Sequence, residues 1–123
     1  MNVKQIFINT LTAAGYTAGK TLFLQSTINP EETYPSEFVT FWTDYTSDIS
    51  HFDNAVHSIE WNFTVILYAD DPTVVNEKPE AIISALRNAG FIPQGVGQDI
   101  PSDSPSHTGW AMEFIYPDET KFN

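Results

Sequence analysis

Apolar residues recur along this chain with two different periods. Val3, Ile6, Phe7 and Leu11 are spaced for one face of a helix. With Gly15 placed to stop it, they predict a short amphipathic helix over residues 2 to 14. Thr21 to Gln25 follows as a short strand, and then a polar, turn-rich stretch from Asn29 to Glu37 holds Pro30 and Pro35. Phe38 to Tyr45 is dense in β-branched and aromatic residues and predicts a strand. Polar Thr46 to Asn54 predicts a loop joining it to an antiparallel partner. That partner carries the clearest signal in the chain. Ile59, Trp61, Phe63, Val65 and Leu67 alternate with Ser58, Glu60, Asn62 and Thr64, the period of a half-buried strand. Ile66 and Tyr68 break the polar set, so the far end of this strand is expected to be covered on both faces.

Asp70-Asp71-Pro72-Thr73 ends that strand, and the helical period returns. Asn76 is a good N-cap candidate, with Glu77 and Glu80 favoured in the first turn by the helix dipole. Ile82, Ile83, Leu86 and Ala89 make the buried stripe, and Gly90 stops the helix. Phe91 and Ile92 are expected to re-enter the core at the start of another strand. Pro93 to Gly109 holds three prolines, three glycines and four serines or threonines, which predicts a long loop or a loosely held hairpin tip. Trp110, Met112, Phe114 and Tyr116 alternate as the final strand, and residues 117 to 123 read as a tail. The order helix, three strands, helix, two strands predicts a single α+β domain over residues 1 to 123. Its mostly antiparallel sheet of four to five strands has two helices packed on it.

Composition narrows the function. The 123 residues include five basic and sixteen acidic ones, a net charge of -11. So few cations argue against a nucleic-acid grip that works by phosphate neutralisation. With no cysteine, disulfide scaffolds, thiolate metal sites and thiol catalysis are excluded. No stretch approaches the roughly 20 apolar residues of a membrane span. The N-terminal segment is interrupted by Gln5, Asn9, Thr10 and Thr12, which denies it the apolar run of a signal peptide. The expected place of synthesis and assembly is the cytoplasm.

No polar cluster carries a catalytic motif. His51, Asp53 and His57 could share a face of an extended chain, but nothing supplies the fixed turn of a metal loop, and His107 is remote. Asp70-Asp71 sits at a strand end, where acids also introduce helices. Gly95-Val96-Gly97 lacks the strand–GxGxxG–helix context of a dinucleotide site. Serine, histidine and aspartate between Asp99 and His107 have no nucleophile-elbow spacing. Trp42, Trp61 and Trp110 fall on predicted strands, where core packing is their default role. No enzyme, cofactor or metal is expected.

Three pieces together resemble the tail-terminator (tail-completion) proteins of long-tailed bacteriophages. They are the Pro-preceded aromatic strand Tyr34 to Phe41, the long strand His57 to Asp71 leading to a helix that ends in Ala-Gly-Phe at Phe91, and the closing strand His107 to Phe114. The likeness runs nearly end to end and is one of pattern. It implies a structural virion protein, without catalytic residues, assembled in the host cytoplasm. A ring of this protein, usually hexameric, would cap the completed tail tube, stop tube polymerisation and join the head. Its partners would be further copies, the major tail tube protein and a head-completion protein, with DNA only as passing cargo and no membrane. Six copies at -11 would carry -66, tolerable only when spread and screened, and a negative channel wall would let a duplex slide without sticking. The polar segments Thr46 to Asn54 and Gln94 to His107 are expected to meet neighbouring subunits or the tube. Within them Asp48, His51, Asp53, Gln98, Asp99, Asp103 and His107 are the candidate contact residues. The alternatives are another neck or minor tail component of related topology, or an unrelated acidic α+β ligand-binding domain.

Overall fold

A computed structural model describes residues 3–24, 34–49, 56–102 and 106–118. Its elements are α1 (Val3–Ala13), β1 (Leu22–Leu24), β2 (Glu37–Ile49), β3 (Val56–Ala69), α2 (Pro72–Asn88), β4 (Ile92–Pro93), β5 (Gln98–Ile100) and β6 (Thr108–Asp118). The six strands form one sheet in the order β1-β2-β3-β6-β4, with β5 also paired to β6. Every pairing is antiparallel except that of β1 with β2. The α+β architecture agrees with the pattern in the sequence, with one strand beyond the four to five expected.

Both helices lie on the same face of the sheet. Val3, Phe7 and Leu11 of α1 are buried at four-residue spacing, so each lies one turn above the last. They meet Val39 and Phe41 of β2, Phe63, Val65 and Leu67 of β3, and Met112 and Phe114 of β6. Phe7 stands at the centre, its ring 4.6 Å from Phe41, 5.0 Å from Phe63 and 5.9 Å from Phe91. α2 adds Ile82 and Leu86 to the same core. Just after α1, the buried Tyr16 donates its hydroxyl to Glu37 Oε2 at 2.5 Å, tying the helix end to the start of β2. Burial, and then the Glu37 carboxylate beside it, push the Tyr16 phenol above its ordinary range.

Four boundaries differ from those expected. α2 begins at Pro72, not near Asn76: Asp71 is extended and accepts a hydrogen bond from the Thr73 amide at 2.9 Å. Asp71-Pro72 is therefore the cap and first position, Asn76 lies exposed inside the helix, and Pro79 sits buried at mid-helix. β2 continues through Ile49, so residues 46–49, expected in a loop, are strand paired with β3. β6 continues to Asp118 and takes up two residues expected in the tail. The stretch expected to be one long loop after Pro93 contains β5.

β4 and β5 are two halves of one edge strand. Pro93 faces Phe114 and Gln98 faces Ala111, so four residues intervene on this side and only two on β6. The two extra residues make a bulge at Gly95-Val96-Gly97. The Trp110 indole donates to Val96 O at 2.9 Å across it. Gly97 has φ +94, and a Cβ there would lie 2.3 Å from Trp110 Nε1, so glycine is required both by conformation and by the close approach.

Candidate interaction surface

Among the described residues, the second face of the sheet carries no helix. Its residues follow from strand alternation and register: Thr40, Ile66, Ala111 and Gln98 form one row, Trp42, Thr64 and Glu113 the next, and Asp44, Asn62 and Ile115 the third. One end of this face is roofed by aromatic groups. Phe38 packs against Tyr68 at 5.1 Å, Tyr34 at 5.4 Å and His107 at 5.8 Å. His107 Nε2 lies 2.8 Å from Pro35 O, and because a carbonyl only accepts, Nε2 carries the proton. In the neutral ring Nδ1 then accepts from the Ser106 hydroxyl at 2.9 Å. These contacts cover Tyr68, which with the buried Ile66 broke the polar alternation of β3.

The other end is open and polar. Asp44, Asn62, Thr64, Gln94 and Glu113 line a groove of about 300 Å³ across β2, β3 and β6. Gln94 and Glu113 continue into a second hollow of about 230 Å³ under the bulge, where Gly95, Gly97 and Gln98 complete the wall. Carboxylates and amides make this a hydrogen-bonding surface. Neither hollow is lined by a histidine, a cation or a serine, and the Thr64 hydroxyl lies opposite Glu113 in the first. Among the described residues no group of three or more His, Asp or Glu side chains could hold a metal ion, and no helix is long and apolar enough to cross a membrane.

Charge separates the two layers of the molecule. No lysine or arginine lies in any strand, whereas Glu37, Asp44, Asp48, Glu60, Asp99, Glu113 and Asp118 do. Lys4 is in α1, Lys20 in the turn before β1, and Lys78 and Arg87 are in α2; Lys121 lies outside the described residues. Asp44, Glu60 and Glu113 are all exposed. The described strands thus form an acidic layer, and the described cations lie in the two helices and in the turn before β1.

The candidate contact residues that are described do not converge. His51, Asp53 and Asp103 lie outside the described residues. Asp48 is near the end of β2, opposite Ser58. Gln98 and Asp99 are exposed on β5, where Gln98 faces the uncovered side and Asp99 lines a hollow with Pro72, Val75 and Asn76 of α2. The row of Gln98 crosses β2 at Thr40, so Asp48 lies eight residues, or about 26 Å, further along the sheet. His107 is buried with its partners inside the chain. Asp44, Asn62 and Glu113 were not singled out from the sequence. Only Asn62 carried a signal, as part of the polar half of the alternation in β3, which marks a face left in water.

No protein-family model matches the chain, and no curated protein matches it.

Proposed function

We propose that this protein is a tail-terminator-type structural component of a bacteriophage tail. It acts as an oligomeric ring that caps the completed tube, ends its polymerisation and offers a surface for head joining, without catalysis. The observation that carries the reading is that, among the described residues, the sheet is free of lysine and arginine and one of its faces carries no helix. A ring with that face toward its axis would present exposed Asp44, Glu60 and Glu113 to a passing duplex. Like charge keeps phosphates from adhering to such a wall. Lys4, Lys78 and Arg87, in the helices, would stay away from the passage. Further copies, tube protein and head-completion protein are the proposed partners, and the virion tail is the proposed location.

Absolute mass by light scattering, alone and with purified tube protein, tests the reading. A species near six subunits, or a monomer that forms one on tube ends and halts their growth, supports it. A strict monomer that leaves tube growth unchanged refutes it. Salt gives a second handle: assembly of like-charged subunits should strengthen up to about 0.15 M salt, where the screening length falls to about 8 Å.

A further inference from the structure

We infer, building on the ring reading above, that Lys20 of one copy seats in the hollow beside Asp99 of the next, and that this contact joins copies head to tail. Register places the two groups at opposite ends of one row. Leu22 of β1 faces Val39, Val39 faces Leu67, Leu67 faces Trp110, and Trp110 faces Asp99. The ends of a row across these strands lie about 19 Å apart, at about 4.8 Å per spacing. The turn that carries Lys20 hangs on the outer side of β1 at this row. The Leu22 amide donates to Thr17 O at 3.0 Å, and Leu22 O accepts from the Gly19 amide at 2.9 Å. Thr17 O also accepts from the Lys20 and Thr21 amides, and the Thr17 amide donates to Thr21 Oγ1 at 2.8 Å. Lys20 is therefore exposed on a fixed backbone, which loses little freedom on binding.

The other end of the row is a receptacle. Pro72 and Val75 of α2, with Ile100 of β5, give an apolar wall to a hollow of about 280 Å³, and Asp99, Asn76 and Thr108 give it polar atoms. A lysine side chain has both parts, a methylene stem for the wall and an ammonium for the carboxylate. The start of a helix is partly positive. Asp71 already caps this one, and with exposed Asp70 and Asp99 it keeps the corner acidic.

The row selects a second copy as the occupant. Repeating the sheet edge to edge, without a shift along the strands, brings Lys20 of one copy to the level of Asp99 of the next. Lys20 is the only lysine or arginine between Lys4 and Lys78. The surfaces joined are two different ones, as closure into a ring requires. Pro93 and the bulge on the β4–β5 edge disfavour added strand pairing, so the join is made by side chains. Between chains of net charge -11, one such pair per interface fixes direction and leaves the overall repulsion as the larger salt-dependent effect.

Charge swaps in the full chain test the pairing, with assembly followed by light scattering, alone and on purified tube ends. Lys20→Asp and Asp99→Lys should each weaken association about tenfold, and the double variant should recover to within about threefold of the original chain. Asp99→Lys separates this contact from overall repulsion: it takes the net charge from -11 to -9 and would otherwise promote assembly. In the assembled original chain, a carbodiimide should condense Lys20 Nζ with the Asp99 carboxyl to an amide, taking up the water as its urea. A separation of about 19 Å forbids that bond within one chain, and mixing isotope-labelled with unlabelled chains identifies it as a link between copies. Rings that ignore both single swaps, that do not recover in the double variant, or that give no Lys20–Asp99 cross-link overturn the inference and leave the ring reading standing. Absence of assembly under every condition overturns both.

Discussion

Gly95→Ala and Gly97→Ala make the same chemical change two residues apart, at similar backbone angles, in different surroundings. Their φ values are +82 and +94. An L-residue there costs about 1–2 kcal/mol, offset by about 0.4–1 kcal/mol from a less flexible unfolded chain. At Gly95 nothing lies within 4 Å of the added methyl, so the net loss should be about 1 kcal/mol. At Gly97 the methyl would fall 2.3 Å from Trp110 Nε1 and 2.5 Å from Ala111 O. The backbone oxygen cannot move without disturbing the β5–β6 ladder, and moving the indole breaks its hydrogen bond to Val96 O, worth about 1 kcal/mol. The total for Gly97→Ala should therefore reach about 3 kcal/mol, with faster amide exchange across Gln98–Ile100. Urea unfolding followed by tryptophan fluorescence and far-ultraviolet dichroism gives both values. Equal losses for the two variants, within about 0.5 kcal/mol, would refute the proposed packing of Trp110 across the bulge.

Phe7→Ala should remove about 4 kcal/mol and lower the melting temperature by roughly 15 °C, because a fully buried ring at the junction of three others leaves a cavity; calorimetry measures it. Asp71→Ala should cost about 1 kcal/mol in urea unfolding, whereas Asn76→Ala, exposed within α2, should cost nothing or stabilise slightly; the reverse ranking would return the cap to Asn76. Tyr16 sets an alkaline limit. Its folded phenol holds the proton more tightly than the unfolded one, so its contribution is intact below about pH 10 and is lost as pH rises further. Tyr16→Phe should abolish that part of the loss, as read from urea midpoints between pH 9 and 11.

The sequence was most legible where one face of an element is apolar and the other wet. β3 and the stripe of α1 follow directly from such alternation. The start of α2 was misplaced because Asn76 followed by Glu77 and Glu80 imitates a cap, although Asp71-Pro72 carries both a cap and a first-turn proline. Residues 46–49 resembled a loop because a strand beyond the helical layer needs no apolar alternation to remain a strand. β5 lay among prolines and glycines that serve the bulge, and the pairing of β5 and β4 with β6 is long-range, with no local signature. The open surface was half legible: the polar positions of β3 were visible, but their alignment with Asp44 and Glu113 required the register.

The register also dictates an order of assembly. Six residues separate Ile49 from Val56, the last pair of the β2–β3 ladder, whereas 38 separate Ala69 from Thr108, the first pair of the β3–β6 ladder. Closing the longer loop costs about 1.6 kcal/mol more in chain entropy. The hairpin of β2 and β3 should therefore nucleate first, with α2 shortening the remaining span before β6 docks. Substitutions in β3 such as Val65→Ala would then slow folding, and substitutions confined to β5 would mainly speed unfolding.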